Sequence, residues 1–225
     1  VKYLTSIPAI EIVFFRSLVT LVLSYHTITK LKIKIFTKHS HLLFARGIFG
    51  AIALSMYFYT IQHMPLATAV TILYLAPIFT VIFAIFITKE SPHKKQWPFL
   101  ILSFVGVLLV KNIDPRVTGL HFSLGITAAM FAGLAYNMIR LLKNKAHHSL
   151  VIFYFPLVTI PLCLPFLYYN WVTPNGKELI ILLLIGVLTQ LAQINMTKAY
   201  MIDSAAKISH YNYLTCIFAF LTGII

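Results

Sequence analysis

Acidic side chains are scarce: the 225 residues include five Asp and Glu, namely Glu11, Glu90, Asp114, Glu178 and Asp203. Each maps to the end of an apolar run or to a gap between runs. A proton or sodium relay across a bilayer normally uses an intramembrane carboxylate, so facilitated diffusion or exchange is favoured over ion-driven pumping. Paired carboxylates, a Ser/His/Asp constellation and an HExxH helix are also missing, which leaves a membrane-embedded transferase without an acid, a base or a nucleophile. No P-loop occurs, so ATP-driven transport is excluded within this chain. Cysteine is scarcer still. Cys163 and Cys216 lie inside apolar runs, cannot build a disulfide framework or a zinc site, and read as packing residues.

What is present is apolar. Such residues make up 60% of the chain and charged ones 10%, against roughly 45–50% and about 25% in ordinary soluble domains. A mean hydropathy of +0.88 points the same way, and a water-soluble fold is excluded. A formal charge of +13 would suggest nucleic acid for a soluble protein. Here the Lys and Arg residues fill short gaps between long apolar runs, so they read as topology signals. The expected partners are the lipid bilayer and a small-molecule solute, with no nucleic acid; a homodimer is allowed.

Because a bilayer core needs about 20 apolar residues in helix, hydropathy predicts eight spans: Ala9–Thr29, Leu42–Gln62, Ala67–Thr88, Trp97–Ile113, Leu120–Leu142, Leu150–Asn170, Glu178–Met201 and Ala206–Ile225. Helices are expected rather than barrel strands because the runs are continuous and the backbone must satisfy itself in lipid. Gaps such as Glu90-Ser91-Pro92, Asp114-Pro115 and Pro174-Asn175-Gly176 carry turn chemistry. Alternate gaps differ in charge. Lys30, Lys32, Lys34, Lys38, Arg46, Lys89, Lys94, Lys95, Arg140, Lys143, Lys145, Lys198 and Lys207 fall on one side, and Lys2, Lys111, Arg116 and Lys177 on the other. The richer side is expected in the cytoplasm, the membrane being the inner (cytoplasmic) membrane.

The chain also matches itself at a displacement of 139 residues: Tyr74-Leu75 with Tyr213-Leu214, Ile78-Phe79 with Ile217-Phe218, Gly47 with Gly186, Ala67 with Ala206. The first three spans then overlay the sixth, seventh and eighth. The unit this implies is five helices, with the first and tenth absent from the sequence, which opens at Val1 without Met or a signal segment. An odd number of helices inverts the second copy. The expected fold is therefore all-α and membrane-integral, two inverted five-helix repeats over residues 1–113 and 114–225.

With this architecture, Phe14-Phe15-Arg16 early in the first span, Tyr74-Leu75-Ala76-Pro77 in the third with Lys89-Glu90 closing it, and Gly106 in a short fourth span, the chain resembles the EamA-type transporters of the drug/metabolite transporter superfamily. Cys216 departs from the proline expected opposite Pro77. The resemblance implies alternating access around a cavity between the two repeats, for a small metabolite such as an amino acid, nucleoside or drug-like solute. Flipping of a lipid-linked substrate is the alternative it leaves.

Several residues are candidates for lining that cavity. Gly186, Thr189, Gln190, Gln193 and Thr197 fall within an arc of about 100° on the seventh span, a face for a polar solute or for interhelical hydrogen bonds. The eighth span offers Ser209, His210, Asn212 and Tyr213, its repeat-mate Thr71 and Tyr74, and the fifth span Tyr136, Asn137 and Arg140; Tyr59 and Gln62 complete the set. Such an aromatic and amide lining suits an uncharged or zwitterionic metabolite. His210 is a candidate for proton coupling. Pro77 removes a helix hydrogen bond and is compatible with a hinge or a static bend. Arg16 reads first as an interface anchor and second as an anion ligand. Gly47, Ala51 and Ser55, like Gly125, Ala129 and Gly133, form small-residue packing seams. His39, His41, His147 and His148 lie in gaps without partnering acids or cysteines, so no metal or cofactor is expected.

Overall fold

The computed structural model describes residues 4, 6–90, 97–98, 100–102, 104–106, 117–212 and 214, apart from the side chains of residues 66, 67, 170, 206 and 210. Among these, regular structure is helical: α1 Ala9–Lys30, α2 Ser40–His63, α3 Leu66–Leu73, α4 Ala76–Ile87, α5 Gly119–Leu141, α6 His148–Asn170, α7 Gly176–Ile202 and α8 Ala205–Tyr211. Six stretches of the described residues are long and apolar enough to cross a bilayer: Ala9–Lys30, Ser40–His63, Thr68–Ile87, Gly119–Leu141, His148–Tyr169 and Gly176–Ile202. The protein is thus a multi-pass membrane protein. The expected spans Trp97–Ile113 and Ala206–Ile225 both extend outside the described residues.

Local sequence explains the boundaries. Pro8 and Pro65 immediately precede α1 and α3. In the Pro174-Asn175-Gly176 turn, the Asn175 side chain accepts from the Lys177 and Glu178 N–H groups (both 3.0 Å) and Glu178 accepts from the Asn175 N–H (2.8 Å), a capping box that starts α7. α6 runs through Pro156, Pro161 and Pro165 without ending, which packing between neighbouring helices tolerates.

The third span, expected as one helix over Ala67–Thr88, is broken at Tyr74 and Leu75. Pro77 has no N–H for the Leu73 carbonyl, so the chain tightens instead: Tyr74 N–H bonds the Thr71 carbonyl (3.1 Å) and Leu75 N–H the Ile72 carbonyl (3.0 Å). α4 then begins with Pro77 in its first turn.

One end of the bundle is basic, carrying Lys30 to Lys38, Lys89, Arg140, Lys143, Lys145, Lys198 and Lys207. Helices 139 residues apart run in opposite directions. α1 and α6 begin at residues 9 and 148, α2 and α7 end at 63 and 202, α3 and α8 begin at 66 and 205. The start of α1 lies beside the end of α6, where Glu11 accepts from the Val172 N–H (3.1 Å), and the end of α1 beside the start of α6, where the Tyr154 hydroxyl donates to the Ile35 carbonyl (3.0 Å). α1 packs on α7, and their counterparts α6 and α2 pack on each other.

Glycine allows these close approaches. A Cβ on Gly133 would meet the α4 backbone at Thr80 N (2.9 Å), one on Gly47 the Tyr154 carbonyl oxygen (2.9 Å), and one on Gly186 the Val19 side chain (2.6 Å). Between α1, α2, α6 and α7 two apolar cores form. Ile28, Leu43, Leu150, Tyr154 and Tyr200 pack toward the basic end, and Ile12, Val13, Phe58, Cys163 and Leu182 toward the far end. Tyr168, Tyr169 and Trp171 are exposed at the far end, where an aromatic belt meets the headgroups.

Candidate functional site

Between the two cores lies a cavity of about 120 Å³. Arg16 of α1, Arg46, Gly50 and Tyr57 of α2, Leu73 of α3, Tyr136 of α5, Phe155 of α6 and Gln193 of α7 are among the residues that line it. Arg16 is the eighth residue of α1 and Arg46 the seventh of α2, which places them about 10 Å and about 9 Å along their helices. Because α1 and α2 start at opposite ends of the bundle, the cavity sits around the middle of the bundle.

Its electrostatics are one-sided. Two arginines face the cavity, and among the described residues no carboxylate lines it. Arg46 is 3% exposed, and its Nε and one Nη have no hydrogen-bond partner. Its guanidinium carbon lies 4.9 Å from the centroid of the Phe155 ring, a cation–π contact that offsets part of its desolvation. Opposite, Tyr136 stacks on the fully buried Tyr200, centroids 4.9 Å apart and planes within 9°.

Two corrections to the sequence reading follow. Arg46, counted with the charges of the basic gap, lies nearly two turns inside α2, which begins at Ser40. Arg16, first read as an interface anchor, faces the interior cavity, since α1 is packed against both α6 and α7 and its arginine side is turned inward.

The sequence-predicted residues divide between places. Tyr136 and Gln193 reach the cavity. Tyr59 and Gln62 line a different one, of about 520 Å³, near the far end with Pro8, Ser55 and Phe166; there Tyr59 stacks on His63 (4.1 Å), whose ring is 5.3 Å from His121. Asn137 is buried at the seam of α5 and α4, its amide donating to the Thr80 (3.0 Å) and Gly133 (2.9 Å) carbonyls. Gln190 and Thr197 lie on the buried face of α7 with Gly186, which meets α1. Thr71 and Tyr74 sit at the α3 break. The His210 side chain and Tyr213 lie outside the described residues. Sequence reasoning passed over Arg46, Gly50, Tyr57 and Phe155. Arginine inside an apolar run with glycine four residues on was the available signal, since that spacing puts both on one helix face.

At the basic end the helices are clasped by charge. Lys89, at φ 56°, turns the chain so that the Glu90 N–H closes onto the Ala84 carbonyl (3.2 Å). The Glu90 carboxylate then accepts from Arg140 Nε (2.6 Å) and from the Ala205 N–H at the start of α8 (3.0 Å), while Arg140 also donates to the Met201 carbonyl (3.4 Å).

Comparison with known proteins agrees with this architecture. Residues 1–111 match the EamA-like transporter family. The chain is 31% identical to a pseudopaline exporter of Pseudomonas aeruginosa over 95% of its own length and 76% of that protein's. It is 28% identical to an S-adenosylmethionine uptake transporter of Rickettsia felis, over 95% and 73% of the two chains. It is 27% identical to mouse solute carrier family 35 member G1, over 98% and 65%. No solved structure matches the chain. With such identity across nearly its whole length, the chain belongs to the EamA-like transporter family and is a secondary transporter of small solutes.

Proposed function

We propose that the cavity around Arg46 is the solute site of an alternating-access carrier made of two inverted five-helix repeats, of which residues 1–113 and 114–225 form parts. The observation that carries this is the lining itself: α1, α2 and α3 supply one wall, and α5, α6 and α7 the other. The antiparallel course of helices 139 residues apart, and the reciprocal packing of α1 on α7 and α6 on α2, support the inverted relation. On this reading the basic end is cytoplasmic and the membrane is the inner one. The break at Tyr74–Leu75 beside Pro77 supplies a hinge, and the Glu90–Arg140 clasp closes the inner side.

The named relatives include an exporter and an uptake transporter. Both fit a carrier whose direction follows its gradient, as expected when, among the described residues, the acids stand near the ends of the spans rather than at their middle. A solute carrier among the relatives, with the exporter and the uptake transporter, favours a soluble metabolite over a lipid-linked substrate. The test is counterflow in proteoliposomes. Vesicles loaded with an unlabelled metabolite panel should transiently accumulate the labelled member that is a substrate, whereas product formation without flux would replace the carrier by an enzyme.

A further inference from the structure

We propose that the solute of this carrier is held through a carboxylate by Arg46, and that Gly50 is the residue that sets the guanidinium in place. This rests on the reading of the cavity as the transport site and names its ligand class.

A buried guanidinium without a partner is among the costliest arrangements a protein keeps. Arg46 comes close to that state, with Nε and one Nη unpartnered, 3% of the residue exposed and the Phe155 ring as its cation–π neighbour. A second cation, Arg16, faces the same space, and among the described residues none that lines it is acidic. Two like charges around one hollow repel each other until an anion enters, so the site is stabilised by a negatively charged ligand and disfavours a cationic one. The lysines of the basic end do not explain this pair, because those charges lie at or near the helix ends whereas Arg46 is enclosed.

The geometry narrows the anion. Phe155 covers the guanidinium from one side at 4.9 Å, which leaves the flat donor fork that matches a carboxylate. A cavity of about 120 Å³ has the volume of about four liquid waters, room for the carboxylate end of a small organic acid. Tyr57 and Tyr136 offer ring faces to its body and Gln193 an amide to a further polar group.

Gly50 lies one turn beyond Arg46. A Cβ there would overlap the Arg46 Nη and press on the Phe155 ring at 2.9 Å. Unlike Gly47 and Gly133, whose added Cβ would strike backbone, Gly50 borders on movable side chains. Gly50→Ala therefore leaves the helices in place and displaces the guanidinium from the cavity.

The experiment titrates purified protein in micelles with malate, succinate and anthranilate, with the matched malamide, succinamide and anthranilamide, and with inorganic phosphate, at constant ionic strength. At least one acid is expected to bind the wild type, and its amide about tenfold more weakly or worse. Gly50→Ala and Arg46→Lys should each lower acid affinity by about tenfold, since the first moves the fork and the second keeps the charge without it. The Gly50→Ala protein should melt within a few degrees of the wild type, so its loss of binding is not a loss of fold. Equal binding of acids and amides, acid binding undiminished in both variants, phosphate binding tighter than every acid, or no acid binding at about 10 mM would overturn the proposal. Counterflow with the same labelled compounds separates it from the carrier reading. Acid binding without any flux removes the carrier and keeps the site, whereas flux of an amide that no acid inhibits keeps the carrier and removes the carboxylate site.

Discussion

Gly133→Ala tests how closely α5 is seated on α4. A Cβ at this position would lie 2.9 Å from Phe79 Cβ, 2.9 Å from Thr80 N and 3.0 Å from Phe79 C. Two of these three atoms are backbone, so no rotamer change relieves the contact and the helices must separate by about 0.5 Å to regain ordinary packing distance. Overpacking of this kind costs about 1–3 kcal/mol, and the backbone contacts put Gly133 in the upper part of that range. Replacing glycine by alanine within a helix returns about 1 kcal/mol. The net loss is roughly 1–2 kcal/mol. Separation would also stretch the Asn137 bond to the Thr80 carbonyl, now 3.0 Å, so the estimate errs toward the low side. The control is Gly119→Ala at the start of α5, where an added Cβ meets nothing within 4 Å. It should leave stability unchanged or raise it by up to about 1 kcal/mol. Unfolding of both variants by sodium dodecyl sulfate in mixed micelles, followed by far-ultraviolet circular dichroism, measures the difference. A Gly133→Ala protein as stable as the wild type would refute the close α4–α5 seam, and with it the placement of Asn137 as a helix-joining residue.

Other outcomes follow from the same geometry. Gln193→Ala, at the cavity, should reduce flux by about tenfold, the effect of one hydrogen bond, whereas Gln190→Ala, on the buried α7 face with Gly186, should lower thermal stability and leave the apparent KM unchanged; equal flux defects would merge the two sites. Glu90→Gln leaves one oxygen to serve both Arg140 Nε and the Ala205 N–H. Losing one charge-assisted bond at this partly exposed pair is worth about 1.4 kcal/mol, so thiol labelling of Met196→Cys from the basic side should rise about tenfold, and an unchanged rate would assign the clasp no role in gating. Burial first, and the Lys198 ammonium second, hold the His147 imidazole below the usual histidine range. Its neutral ring accepts from the Ser149 N–H at the start of α6 (3.3 Å). That contribution is complete above about pH 6.5 and is lost as the pH falls toward the depressed value. His147→Asn, which keeps a capping acceptor, should flatten this part of the acid-side decline in melting temperature.

The helices were legible in the sequence because lipid and backbone chemistry leave few choices. Long apolar runs with charged gaps read as spans, and the 139-residue displacement foretold which helices would share boundaries. The site was less legible, for reasons that particular residues show. Hydropathy placed Arg46 inside the span expected over Leu42–Gln62, yet its charge was counted with the neighbouring basic gap, so its inward direction was missed. Helical periodicity found the inward face of α7, yet it could not tell Gln190, which packs near α1, from Gln193, one turn on, which opens into the cavity. The fifth span showed Tyr136 and Asn137 as neighbours. They point in different directions, one into the cavity and the other into the α4 seam, because adjacent residues lie about 100° apart on a helix. Pro77 marked the disturbance in the third span, but a missing N–H acts on the carbonyl four residues before it, so the break falls at Tyr74–Leu75.

The most direct test of alternating access around the Arg46 cavity is its sidedness. Gln193→Cys, in a background with Cys163 and Cys216 replaced, can be exposed to an anionic, membrane-impermeant thiosulfonate from each side of oriented vesicles. A carrier predicts modification from both sides, with a transported solute slowing the reaction from each by occupying the site. Modification from one side alone, with or without solute, would contradict a cavity that opens to both faces in turn.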